Sequence, residues 1–127
     1  MFGYALVGSN DLARAMAFYD RLFASVGVKG LFEHSSGGRV YGIAPDKPFF
    51  GVVAPYDGRP ATVGNGSMIG LSLGSRDQVA SLHALALELG GTDEGAPGPR
   101  GPEGSGFYAA YFRDPDGNKF CAFHAGG

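Results

Sequence analysis

The chain has 127 residues, 44% of them hydrophobic and 17% charged, with a formal net charge of −2. That length holds one compact domain, or two small halves sharing one core. The near-balanced charge, with no Lys/Arg cluster of more than two neighbours, argues against a nucleic-acid surface or an anionic-membrane patch.

The N-terminus MFGYALVGSND carries no basic region and no long apolar run, so neither a signal peptide nor a membrane span is expected. Residues 2–8 alternate as a strand. Ser9 or Asn10 is then placed to cap a helix whose apolar stripe runs through Leu12, Ala15, Met16, Tyr19, Leu22, Phe23 and Val26, with Gly27 as the stop. Three short strands are expected over about 29–35, 39–44 and 49–54. Residues 55–66, PYDGRPATVGNG, form a connector.

The order then begins again. A strand over 67–73 precedes a helix capped by Ser75 in a Ser-x-x-Gln box with Gln78. Its stripe is Val79, Leu82, Leu85, Ala86 and Leu89, and Gly90 ends it. His83 falls on a solvated flank of this helix. The segment GGTDEGAPGPRGPEGSG (90–106) has little regular propensity beyond a short edge strand near 92–95, and a loop this long is usually functional or mobile. Strands at about 107–113 and 118–124 close the chain, joined by an Asp114-Pro-Asp-Gly117 turn.

Setting APDKPFFG (44–51) beside DPDGNKFC (114–121) matches Pro45 with Pro115, Asp46 with Asp116, Phe50 with Phe120 and Gly51 with Cys121. Each half is too small to bury its own sheet face, which argues for paired modules. The expected fold is therefore α+β, a single domain over 1–127. Module one spans 1–54, the connector 55–66 and module two 67–127, and curled mixed sheets form a shared cleft. By alternation Phe120 and Ala122 face the helices, whereas Cys121 and Phe123 face the opposite way with Met68, Gly70 and Ser72.

The two β-α-β-β-β halves, the helix opening Ser9-Asn-Asp-Leu-Ala-Arg-Ala-Met-Ala-Phe-Tyr19, Gly64-Asn-Gly-Ser67 and Arg113-Asp-Pro-Asp-Gly-Asn118 resemble the vicinal oxygen chelate superfamily. That group contains glyoxalases, bleomycin-resistance proteins and extradiol dioxygenases. The resemblance spans essentially the whole chain. It implies a divalent ion held in the cleft by His, Gln or Glu side chains from four strands. Carried over by position, those ligands fall on Tyr4, Gly51, Met68 and Cys121. None is the expected residue, and hard divalent ions want carboxylates and imidazoles in threes and fours.

The implied reading is a metal-free binding protein of bleomycin-resistance type without cofactor. It would hold a small aromatic or anionic molecule against Tyr4, Met68, Cys121 and Arg100. Arg100 is read either as a solvated loop cation or as a grip on an anion, and Cys121 as a small buried hydrophobe rather than a nucleophile. The alternative is a metal-dependent lyase or dioxygenase of the glyoxalase type using unconventional ligands. A homodimer is implied, and the lone cysteine fits a cytoplasmic location.

Overall fold

The computed structural model describes residues 1–126 and divides into two compact units, Met1–Gly64 and Asn65–Gly127. Each unit reads β-α-β-β-β. The first contains β1 (Tyr4–Gly8), α1 (Leu12–Ala24), β2 (Lys29–Glu33), β3 (Arg39–Gly42) and β4 (Phe49–Val53). The second contains β5 (Ile69–Ser72), α2 (Arg76–Glu88), β6 (Thr92–Pro99), β7 (Tyr108–Arg113) and β8 (Lys119–His124). The strand orders are β1-β4-β3-β2 and β5-β8-β7-β6. In each sheet the first and last strands of the unit run parallel and the remaining pairs are antiparallel. No described helix is long and apolar enough to cross a membrane.

The internal repeat holds at the level of register. Ala5 pairs with Phe50 and Leu6 with Gly51 in the first unit, and Ile69 pairs with Phe120 and Gly70 with Cys121 in the second. Tyr4 therefore corresponds to Met68, and Gly51 to Cys121. One face of each sheet packs under its helix. In the first unit Tyr19 reaches Phe18, Phe23, Tyr41 and Phe50, with ring centroids 5.0 to 6.0 Å apart. In the second, Phe112 stacks on Phe120 at 5.4 Å, and Val79, Leu82 and Ala86 are buried on α2.

Three local expectations are corrected. The cap of α1 is Asp11, whose carboxylate accepts from the Arg14 amide at 3.1 Å. Ser9 accepts from the Asp11 amide, while Asn10 clamps Ala61 of the connector through both its amide groups. His83 is buried rather than solvated, at 6% exposure, with Nε2 3.0 Å from Asp93 Oδ1. The Asp93 carboxyl lies below its usual range, chiefly because the Gly95 amide donates to it and secondarily because of His83. Finally, the glycine-rich segment holds an eight-residue strand, β6, rather than a short edge piece. Its register shifts between Asp93 and Gly95, and again between Gly95 and Gly98. Such bulges let a strand rich in Gly and Pro follow β7 at the sheet edge.

Ser75 caps α2 as expected, accepting from the Gln78 amide at 3.1 Å, and Gln78 Oε1 accepts from Gly74 at 2.8 Å. Gly27 and Gly90 end the two helices at positive φ. The turn before β8 is built around the buried Asp114 carboxylate. It accepts from the amides of Asp116 and Asn118 and from Asn118 Nδ2, at 2.8 to 3.0 Å, while Gly117 supplies a φ of 97°. Removing a buried acceptor leaves its donors without a partner. Asp114→Ala is therefore expected to cost about 3 kcal/mol, on the order of 10 °C in Tm, measurable by thermal unfolding followed by circular dichroism.

Candidate functional site

The sheet face turned away from the helix carries the candidate residues of both units. In the first unit, Tyr4 and Leu6 occupy it on β1, and Phe49 and Gly51 on β4. Tyr4 is 62% exposed and lies flat on Phe49, with centroids 5.1 Å apart and planes 2° from parallel; Phe32 meets Phe49 edge-on at 6.1 Å. This face is aromatic and aliphatic, without a carboxylate or imidazole among these residues. At Gly51 the space is already filled. A Cβ there would lie 2.7 Å from Leu6 Cδ2 and 3.3 Å from Val40 Cγ2, so a longer side chain would have to displace Leu6.

In the second unit, β8 presents Lys119, Cys121 and Phe123 to the open side, and β7 presents Ala109, Tyr111 and Arg113. Cys121 pairs directly with Tyr111 across the two strands and with Gly70 on β5. The Cys121 thiol and the Tyr111 hydroxyl lie close enough for each to influence the other's proton. Burial pushes the thiol up, outweighing the influence of Tyr111 and the charges of Arg100 and Lys119 that favour the thiolate. Burial likewise raises the Tyr111 phenol, followed by the effect of Cys121. Both groups are thus neutral at physiological pH.

Two cations lean on the same phenol. The guanidinium carbon of Arg100 lies 5.7 Å from the Tyr111 ring centre and the Lys119 ammonium 5.8 Å from it, both within cation–π range. Arg100 is anchored by donating Nη1 to Pro99 O at 3.1 Å and Nη2 to Ala96 O at 2.5 Å. Glycines make this possible. A Cβ on Gly98 would approach Arg100 Nη1 to 2.9 Å, and one on Gly95 would approach the Tyr111 ring to 2.9 Å. Farther along the same face Phe123 stacks on Phe107, with centroids 5.4 Å apart and planes at 24°, and Gly70 leaves space beside the Phe123 ring.

Beyond Arg100 the chain turns through residues 101–107, tied by Arg100 N to Phe107 O at 2.8 Å and by Ser105 Oγ to Arg100 O at 3.2 Å. A cavity of about 480 Å³ opens there, lined by Arg76, Arg100, Glu103, Ser105 and Phe107 among others. Arg76 stacks over Tyr108 at 4.9 Å.

Of the four residues singled out from sequence, the structure brings Arg100 and Cys121 together around Tyr111. Met68 precedes β5 and is 50% exposed, and Tyr4 belongs to the first unit. Sequence reasoning ranks Tyr111, with Tyr41 and Tyr108, below Tyr4 as a pocket-lining aromatic, and it misses Lys119. Tyr111 was legible as the cross-strand partner of Cys121 once the hairpin register was fixed by the Asp114 turn. Lys119 had only its alternation with Cys121 to mark it.

The residues do not fit a hard divalent ion. A phenol, a glycine whose space is taken, a thioether and a thiol held neutral offer neither the carboxylates nor the imidazoles such an ion requires. Among the described residues no group of three or more His, Cys, Asp or Glu side chains converges to hold a metal.

Two four-stranded mixed sheets, each backed by one helix in β-α-β-β-β order, define the glyoxalase-like class of α+β fold. Residues 5–123 match the family model of the glyoxalase-like domain, and the chain belongs to that family. A glyoxalase/bleomycin resistance protein from Albidiferax ferrireducens T118 is 41% identical over 98% of each chain, with a TM-score of 0.84. A glyoxalase/bleomycin resistance protein/dioxygenase family enzyme from Burkholderia phytofirmans PsJN is 19% identical over 96% of each chain, with a TM-score of 0.73. A lactoylglutathione lyase from Agrobacterium tumefaciens is 19% identical over 98% of this chain and 92% of its own, with a TM-score of 0.69. The last two share the fold alone. No curated protein matches the chain.

The thiol environment has a direct consequence. The folded state favours the neutral form of Cys121, so its contribution to stability is full below the ordinary thiol range. It is lost as pH rises through the raised folded-state value. Iodoacetamide alkylation of the native protein at neutral pH should run about tenfold or more slower than that of the unfolded chain. Mass spectrometry of the alkylated protein checks this, and equal rates would contradict the geometry.

Proposed function

We propose that the protein binds a small aromatic or anionic molecule on an open sheet face without a metal ion. This is a binding role of the kind named by the bleomycin resistance label of its 41%-identical relative. The observation that carries the reading is the donor set at Tyr4, Gly51, Met68 and Cys121. A stacking phenol, a glycine whose space is taken, an exposed thioether and a neutral thiol stand at the positions the family resemblance assigns to metal ligands. The family fold supplies the scaffold, and the chemistry at those positions is that of contact rather than coordination. The roles, taken unit by unit, are accordingly modest: Tyr4 in the first offers exposed apolar surface, while in the second Met68 offers the same, Arg100 a fixed positive charge, and Cys121, itself buried, a neutral thiol behind that face. Polar groups placed sparsely on an apolar face are the usual composition of a small-molecule site.

We place the protein in the cytoplasm as a homodimer. Its one cysteine is buried and reduced, which suits a reducing compartment, and each sheet has edge strands whose backbone groups a second copy can pair.

Thermal unfolding of EDTA-treated protein against Mn²⁺, Fe²⁺ (anaerobically), Co²⁺, Ni²⁺ and Zn²⁺ tests the metal-free reading. A native-state site at one hundred times its dissociation constant adds about 2.7 kcal/mol, a rise of several degrees. The expected result is no saturable rise with any of the five. A saturable rise abolished by Cys121→Ala would overturn the reading in favour of a metal-dependent lyase or dioxygenase.

A further inference from the structure

We propose that the open face of the second unit is a receptor for aryl carboxylates. Arg100 and Lys119 take the carboxylate beside Tyr111, and the Phe107–Phe123 pair takes the ring. This rests on the metal-free binding role above and specifies its ligand.

Arg113, on the same face of β7, is satisfied by Glu94, with Nε donating to Oε1 at 2.7 Å. Arg100 and Lys119 are not neutralised in this way. Among the described residues neither makes an ion pair with a carboxylate, and the partners of Arg100 are the neutral carbonyls of Pro99 and Ala96 and a neutral phenol. Two positive charges held to one ring repel each other, and an anion between them relieves that repulsion. The neighbouring Tyr111 and Cys121 hold their protons, so neither supplies the missing negative charge.

Arg100 is also preorganised. Arg100 is half-buried on its glycine bed with two of its N–H groups engaged, and a guanidinium has five. The remaining donors lie in one plane and match the planar, two-oxygen geometry of a carboxylate. Since the two carbonyls already hold the side chain in place, little rotamer freedom is left to lose on binding.

The apolar part of the ligand follows from spacing. Phe123 lies four residues beyond Lys119 on β8, about 13 Å along the strand, whereas Arg100 is tied by its backbone amide to Phe107 O at 2.8 Å. A carboxylate bonded to Arg100 at about 2.8 Å therefore has its attached ring near the strand end that carries Phe107. Phe107 and Phe123 are stacked and each half-buried, so one accessible aromatic surface remains for a third ring to meet in an offset or edge arrangement.

The test is isothermal titration calorimetry of the intact protein with benzoate and phenylacetate, against benzamide and acetate. The expected result is saturable binding of the aryl carboxylates, with benzamide and acetate each at least about tenfold weaker, one hydrogen-bonded charge or one buried ring being worth that much. Lys119→Met and Arg100→Met should each weaken benzoate about tenfold and benzamide, whose carbonyl accepts from the same donors without a charge, by much less, and Phe123→Ala should weaken both. Lys119→Gln serves if the methionine variant loses its folded circular dichroism signal. Benzamide binding as tightly as benzoate, with both lost in Phe123→Ala, would overturn the carboxylate assignment and leave the metal-free binding role standing. Absence of binding by all four probes would also overturn the assignment, and the binding role itself would then be judged by the metal titration.

Discussion

The parallel pairing of the first and last strands in each unit fixes what this protein can present. β4 runs between β1 and β3, and β8 between β5 and β7, so one central strand sets the facing of its two neighbours. Because side chains alternate with a period of two, a shift of one residue would exchange the helix-packed face for the open one. The register prevents this by committing Phe50 and Phe120 to the helix side, where burying each ring contributes several kcal/mol. Everything on the open side, from Tyr4 and Gly51 to Lys119 and Cys121, is a consequence of those two phenylalanines. The candidate site therefore inherits its precision from the core rather than from contacts of its own.

The second unit adds a device that the first lacks. β6 contains Gly95 and Gly98, and their missing side chains leave a shallow bed on which the Tyr111 ring and the Arg100 guanidinium lie. Glycine weakens a strand by conformational entropy, and the two register shifts mark where the ladder is interrupted. That loss is offset by antiparallel pairing with β7 and by the contact of buried His83 with the exposed Asp93, which ties α2 to β6. An edge strand that can carry this cost is the natural location for a cation that must lie flat.

Much of the fold was legible because it rests on local chemistry repeated twice. The Pro-Asp turns before β4 and β8 and the glycines that end both helices act within a few residues of themselves, and such signals survive without tertiary context. The cap of α1 was misplaced by one or two residues because Ser9, Asn10 and Asp11 are all competent caps. Only the packing of Asn10 onto Ala61 decides which one is free to serve. β6 was largely missed for a different reason. Gly, Pro and Ala carry almost no strand propensity, and the segment is a strand because β7 offers it backbone partners. His83 was misjudged because an imidazole interrupts an apolar stripe on paper, whereas in the fold its partner Asp93 lies ten residues away on the neighbouring strand. At the candidate site, family position singled out Cys121, and the sparse charge of the glycine-rich loop singled out Arg100. Tyr111 and Lys119 needed the β7–β8 register, which is a tertiary fact.

Family membership and site chemistry point in different directions here, and the physical reason is that the fold is indifferent to the metal. The helix-side core of neither unit includes the side chains of Tyr4, Met68, Arg100 or Lys119. The open-face positions are therefore free to change chemistry without cost to the core. A divalent ion in such a fold concentrates positive charge at one point and demands a cage of anionic or imidazole donors. Arg100 and Lys119 spread positive charge over two side chains and require only neutral supports, which the carbonyls of Ala96 and Pro99 and the Tyr111 ring provide. A permanent cation cannot polarise a substrate oxygen as strongly as a metal ion, but it can hold an anion in a fixed place. The proposed binding role asks only for that holding, and asks no polarisation of these two residues.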